Sequence, residues 1–247
     1  MAFSFFNKKV TPDLSFLGAD MHSHLLPGLD DGLQKIDQTV AFVKELHALG
    51  YQKLICTPHI LTGVHDNSPE TILPALARVR EALAAYKIPV AVEAGAEYMI
   101  DDSFEELLKS NKPLLTFGKN NLLIEMSYVA ASPNLFDAIF QLELRGIKPI
   151  FAHPERYSYY HQSFEQYEEI KNREIYFQVN LLSLSGYYGK EVKKTGEKLL
   201  ERGMVEFIGT DMHHANHLQA TKDFVSSKGF YDIVKHVPLL NSSLLDD

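Results

Sequence analysis

Short apolar or β-branched runs alternate along this chain with longer segments whose apolar residues recur every three or four positions. That alternation predicts repeated βα units around parallel strands. Seven runs read as strands: 18–22, 53–57, 90–95, 122–125, 148–152, 175–180 and 205–210. Between them, Ile36, Val40, Val43 and Leu46 share one helical face before Gly50 closes the segment. Ser68-Pro69 predicts a helix start for a segment reaching about Tyr86, with Pro74 implying a kink or a late start. Ser132-Pro133 repeats that signal, with Gly146 as the stop, and a further helix is expected from Lys190 to about Arg202. The lysines of this last helix, Lys190, Lys193, Lys194 and Lys198, read as a solvated face. The aromatic stretch Tyr157 to Tyr160 follows a strand and reads as a loop, either facing a ligand or packing.

The 247 residues fit one α/β barrel, and no linker, repeat or low-complexity tract divides them. A single domain over 1–247 is expected, with 1–15 and the polar tail 241–247 peripheral. With 45% hydrophobic and 23% charged residues the composition is that of a globular protein, which excludes disorder as the main state. The net charge of −8 and the lack of a Lys/Arg block argue against nucleic acid as a partner. One cysteine, Cys56, allows neither an internal disulfide nor a thiolate metal cluster and fits a reducing, cytoplasmic setting. Residues 1–10 do not read as a secretory signal, and no run approaches the roughly 20 apolar residues of a membrane span, so membrane insertion is not expected.

In parallel barrels the working residues sit where strands meet their following loops. The first run ends in His22-Ser23-His24, whose i, i+2 spacing puts both imidazoles on one side. The second leads to His59, the third to Glu97, the fourth ends in Glu125, the fifth runs into His153, and the seventh gives Asp211 and His213. The sixth offers only Asn180. Carboxylates gathered at one level of a barrel would be costly to desolvate without bound cations. Mixed imidazole and carboxylate donors suit Mn, Fe, Zn or Mg, and they outnumber the needs of one tetrahedral site, so a multinuclear centre is expected. Clustered divalent ions stabilise attacking and leaving oxygens and ionise water near neutral pH, which points to phosphoester hydrolysis. Arg156, three residues after His153, could fork onto phosphate oxygens. Asp30 and Asp31 alone read as turn residues, and His214 and His217 either contact substrate or simply pack.

Competing chemistries fail on the sequence. A cysteine phosphatase needs an arginine six residues after its thiolate, where Thr62 follows Cys56. Phosphate-loop, dinucleotide-turn, zincin and nucleophile-elbow motifs are all missing.

The segments DMHSHLLPGLDDG (20–32), TPH (57–59), GAE (95–97), AHPER (152–156) and TDMH (210–213) closely resemble the polymerase and histidinol phosphatase (PHP) family. More narrowly, they resemble its bacterial tyrosine-protein phosphatase branch, associated with capsule and exopolysaccharide synthesis. The resemblance spans about 18–213 and implies a distorted seven-stranded β/α (TIM-like) barrel holding three metal ions, manganese foremost. By similarity, His22, His24, Glu97 and Asp211 hold one ion. Glu97 bridges to a second with Glu125 and His153, while Asp31, His59 and His213 hold the third. The resemblance makes Arg156 the phosphate binder and rests catalysis on Arg156, Glu97 and Asp211. It implies hydrolysis of phosphotyrosine, with the tail of a bacterial tyrosine kinase as substrate. A small-molecule phosphatase such as histidinol-phosphate phosphatase is the alternative enzyme, and a phosphotyrosine-binding module without turnover the alternative of another class. Such phosphatases carry a second arginine shortly after the Asp-x-His motif, but none occurs after Arg202 here, leaving His214, His217 or Lys222 as candidate substitutes.

Overall fold

The computed structural model describes residues 10–246. Residues 1–9 and 247 lie outside that range, and with them most of the stretch read as carrying no secretory signal. Among the described residues no helix is long and apolar enough to cross a membrane.

The strands are β1 (Ala19–Asp20), β2 (Lys53–Cys56), β3 (His59–Ile60), β4 (Ala91–Ala94), β5 (Glu97–Met99), β6 (Asn121–Glu125), β7 (Lys148–Ala152), β8 (Tyr176–Asn180) and β9 (Phe207–Gly209). All pair in parallel, in the orders β1-β2-β4 and β3-β5-β6-β7-β8-β9. β1, β2, β4, β6, β7, β8 and β9 fall at the seven expected runs, while β3 and β5 carry the second and third runs on past their expected ends at 57 and 95. The first break falls at Pro58, which has no amide proton for a ladder. Backbone bonds still cross it, from Gly95 N to Cys56 O at 2.9 Å and from Glu97 N to Pro58 O at 3.1 Å. The ring closes beyond β1 and β9, where Ser23 bridges Met212 in parallel and Asp211 N donates to His22 O at 2.8 Å. The result is an α/β fold, a distorted seven-stranded barrel with helices outside.

The helices are α1 (Ile36–Ala48), α2 (Pro69–Ala85), α3 (Asp102–Lys109), α4 (Leu135–Leu144), α5 (Glu165–Lys171), α6 (Leu181–Ser185), α7 (Lys190–Glu201), α8 (Ala215–Val225) and α9 (Lys228–Val234). Helix α1 buries Val40, Val43 and Leu46 as its spacing predicts. Helix α2 starts at Pro69 and continues past Pro74, so the late start is not seen. Helix α4 begins two residues beyond Pro133, because Ser132 Oγ first accepts from Asn134 N in a turn. The lysine face of α7 is only partly solvated: Lys190 and Lys194 are exposed, but Lys198 Nζ sits 3.8 Å over the Phe164 ring.

Within the described residues, neither terminal segment is wholly peripheral. Leu14 is fully buried in the main core. At the other end, Asn241 is buried between β1 and β9, its Nδ2 donating to Ala19 O at 3.0 Å and Ile208 O at 2.7 Å while its Oδ1 accepts from Ile208 N. Leu244 joins Ala19, Ile55, Leu123 and Phe207 in a second apolar cluster, and Leu123 lies on the same strand face as Glu125, two residues on. Polarity makes the tail 241–247 look frayed in the sequence; here the Asn241 side chain completes the backbone bonding of β1 and β9.

Candidate metal centre

Apart from Asp31, which sits in the loop between β1 and α1, the ligand candidates stand at or near the carboxyl ends of the strand runs, and the parallel register brings those ends to one level. His59 and Glu97 pair directly in the β3–β5 register. His153 and Asp211 follow β7 and β9 with φ of 35° and 49°, left-handed backbone that costs about 1–3 kcal/mol at a non-glycine residue and collects at functional sites. His22, His24, Glu97, Glu125, His153 and Asp211 are buried.

Glu97 is the hub. Its Oε2 lies 3.2 Å from His22 Nε2, 3.1 Å from His59 Nδ1 and 3.5 Å from His24 Nε2, while Oε1 lies 3.0 Å from His153 Nε2. Asp211 Oδ1 approaches His22 Nε2, His24 Nε2 and His213 Nδ1 at 3.3–3.4 Å. Glu125 Oε1 meets His59 Nδ1 at 2.9 Å. Asp31, whose side chain is 63% exposed, closes the outer end at 3.3 Å from His213 Nε2 and 3.7 Å from His59 Nε2. All nine residues therefore meet in overlapping groups, each compact enough for a cation: His24, Asp31, His59 and His213; His22, His24 and Asp211; His22, Glu97 and His153; His59, Glu97 and Glu125.

The donor set fits bound cations for a specific reason. His24 Nδ1 is 2.7 Å from Asp30 Oδ2 and His22 Nδ1 is 2.8 Å from Gln178 Oε1, so both Nδ1 atoms donate to oxygen. The two Nε2 atoms then face each other at 3.2 Å, flanked by oxygens of Glu97 and Asp211. Neutral rings would present acceptors to acceptors there, a cost that a cation removes. His153 Nδ1 is likewise buried without a hydrogen-bond partner.

In the absence of cations, protons take their place. Burial opposes charge on His22, but Glu97 and Asp211 outweigh it and raise the ring to about 9. His24 is raised as well, burial again opposing and Asp30 prevailing. Burial pushes against ionisation of Glu97 and Asp211, yet the neighbouring histidines hold both well below the usual carboxylate range. A cation entering at His22 below about pH 9 must therefore expel a proton. Apparent affinity should rise with pH, by up to about tenfold per unit for each proton displaced. Calorimetric manganese titrations at about pH 7 and about pH 8.5, in buffers of different ionisation enthalpy, measure both affinity and proton release. A flat affinity with no proton release would contradict this arrangement.

Above the cluster lies a cavity of about 230 Å³ lined by Arg156, Tyr128, Tyr188, His214 and His217 together with the outer ligands. Arg156 Nη1 donates to Asp211 Oδ2 at 3.1 Å, and its guanidinium carbon lies 4.5 Å from the Tyr128 ring centre and 4.3 Å from that of Tyr188. A larger groove of about 440 Å³, lined by Tyr98, Phe104 and Leu107, contains none of the clustered ligands. The aromatic walls are not those of the Tyr157–Tyr160 stretch. Tyr157 and Tyr160 are buried, and Tyr157 Oη accepts from Met126 N at 2.9 Å.

His214 caps α8 by accepting from His217 N. His217 is depressed to about 4 by burial and by the charge of His214, so it is neutral at physiological pH. Its Nε2 lies 3.4 Å from Tyr188 Oη. Lys222, the other candidate for the missing arginine's role, pairs with Glu45 at 2.5 Å and does not line the cavity. Sequence reasoning missed Tyr128, Tyr188, Gln178 and the role of Asp30. Tyr128 carried one usable signal, its place three residues beyond Glu125 at a strand end.

The sequence pattern of the family described as capsular polysaccharide synthesis, CpsB/CapC, matches residues 18–244. The tyrosine-protein phosphatase YwqE of Bacillus subtilis is 26% identical over 216 residues, covering 87% of this chain and 84% of that protein. The tyrosine-protein phosphatase CpsB of Streptococcus pneumoniae is 26% identical over 219 residues, covering 85% and 90%. A crystal structure from work on YwqE and CpsB, described as unique metal-dependent tyrosine phosphatases, aligns with a TM-score of 0.77 at 25% identity over 92% of this chain and 94% of that one.

Proposed function

The chain belongs to the CpsB/CapC capsular polysaccharide synthesis family, and on that premise we propose that it is a metal-dependent protein-tyrosine phosphatase. The observation that carries this reading is the convergence of nine imidazole and carboxylate side chains beneath an arginine-lined cavity. His22, His24, Glu97 and Asp211 would hold one cation; Glu97, Glu125 and His153 a second; Asp31, His59 and His213 a third. Manganese is the first candidate. The substrate is the phosphotyrosine-bearing tail of a bacterial tyrosine kinase, met in the cytoplasm.

When bound, such cations supply Lewis-acid charge for phosphoryl oxygens and lower the pKa of water. The chain's own residues do the rest. One Arg156 nitrogen is committed to Asp211, which leaves the remainder of its fork for phosphoryl oxygens. Tyr128 and Tyr188 both pack their rings against the guanidinium and give the cavity mouth aromatic walls for the substrate ring. His214 and the neutral His217 beside it form the remaining polar surface for the phosphate, in the place a second arginine would take. Tyrosyl phosphate also suits a site rich in ligands and poor in acids, because a phenolate of ordinary pKa near 10 departs without a proton.

The test is phosphate release from a phosphotyrosyl peptide, a phosphoseryl peptide, histidinol phosphate and a nucleotide diester, using chelator-stripped and manganese-reconstituted protein. Release from phosphotyrosine alone, restored by manganese, is expected. Preference for histidinol phosphate would move the substrate to a small molecule, and tight peptide binding without release would favour a binding module.

A further inference from the structure

The sixth strand run brings no ionisable group to the centre, and its two polar side chains, Gln178 and Asn180, are fully buried. Buried amides persist where each donor and acceptor is matched. Here the matching has a direction. An ionised carboxylate only accepts, so Asp211 Oδ2, 2.7 Å from the Asn180 amide, must receive from Asn180 Nδ2. That turns Asn180 Oδ1 toward Gln178 Nε2, which donates to it at 2.8 Å. Gln178 Oε1 is then the atom 2.8 Å from His22 Nδ1, and an amide oxygen has no proton to give. His22 Nδ1 therefore carries the hydrogen, and Nε2 faces Glu97 and Asp211.

Resting on the metal-centre reading above, we propose that Gln178 and Asn180 are positioning residues, a polarised amide relay from Asp211 that fixes the His22 tautomer and so presents Nε2 to the cation. Two further features of the fold support the relay. The Asn180 backbone is fixed where α6 begins, its N donating to Glu155 Oε1 at 2.9 Å. Gly209, at the end of β9, leaves the relay its space: a Cβ there would lie 2.9 Å from Gln178 Nε2 and 2.7 Å from His22 Cβ. The relay also explains why one strand of the ring contributes amides where the others contribute ligands. It ties together two ligands carried by different strands without adding charge to a site already crowded with it.

The experiment compares Gln178→Met, similar in length but unable to hold the Nδ1 proton, with Gln178→Glu, which keeps an acceptor for His22. Manganese and zinc dissociation constants come from chelator competition, and the His22 Nδ1 proton is followed by NMR in zinc-loaded protein carrying 15N-histidine. Outer partners of metal-bound histidines are worth about 10- to 100-fold in affinity. Gln178→Met should lose that much and lose its slowly exchanging Nδ1 proton signal, whereas Gln178→Glu should keep the signal and most of the affinity. Circular dichroism reports whether each variant folds. If Gln178→Met does not, Asn180→Ala cuts the chain one link farther on and should also weaken binding. Wild-type affinity in the folded Met variant, or in Asn180→Ala, overturns the relay, as does equal loss in folded Met and Glu variants. A wild-type protein that binds no cation would instead overturn the metal-centre reading itself.

Discussion

Glu97→Gln should abolish cation binding and phosphotyrosine hydrolysis together, each by more than about 100-fold, beyond the range for an outer partner of a metal ligand. The side chain is fully buried and touches four histidines, His22, His24, His59 and His153, each through a ring nitrogen within 3.5 Å. Glutamine keeps the shape but removes the charge, and it replaces one acceptor with an NH₂ that can only donate. In the metal-free wild type, His22 and His59 hold Glu97 ionised against burial, so the substitution also lowers the proton affinity of those rings. Metal content after dialysis, circular dichroism and peptide dephosphorylation with and without excess manganese measure the three consequences separately. Full metal content with lost turnover would make Glu97 a proton-transfer group and not a ligand. Loss of both, unrelieved by added manganese in a folded protein, is the expected result.

The level at which the ligands meet was legible because two local rules act together. Strands advance with period two, and parallel pairing aligns their carboxyl ends, so His22 and His24, or Asp211 and His213, could be placed before any contact was known. Asp31 was different, since its turn sequence alone gave no reason to prefer a ligand over a surface residue. Only the motif around it did. What stayed hidden depends on contacts between residues distant in sequence. Tyr188 meets Arg156 across 32 positions and Gln178 meets His22 across 156, and neither leaves a periodic trace. Asp30 looked like a turn because it is one, Gly32 N donating to its Oδ1, while its other oxygen takes the His24 proton. The tail misled for a related reason: polarity usually marks exposure, but Asn241 is a buried amide supplying donors and an acceptor to strand edges that would otherwise lack them.

Arg156→Ala should lower kcat/KM for a phosphotyrosyl peptide by about 10²–10³-fold, the cost of removing one preorganised donor from a developing oxyanion, while leaving metal content near wild type. The separation follows from position. Arg156 contacts a ligand, Asp211, but stands in no cation-sized group of donors itself. Asp211 Oδ2 retains Asn180 Nδ2 when the guanidinium is gone, so its orientation should survive. Arg156→Lys should recover only part of the loss. An ammonium restores charge but not the planar fork, and it stacks less well on the Tyr128 and Tyr188 rings. Tyr188→Leu should then act in the same direction and more weakly, through the guanidinium it no longer holds. Steady-state kinetics paired with metal analysis on the same preparations test all three. If Arg156→Ala sheds metal in proportion to activity, its main task is to hold Asp211 and the phosphate must be bound elsewhere in the cavity. If metal stays and the loss falls mostly on kcat, the guanidinium acts on charge that develops as the phosphorus–oxygen bond breaks, where the absence of a second arginine leaves it with the larger share.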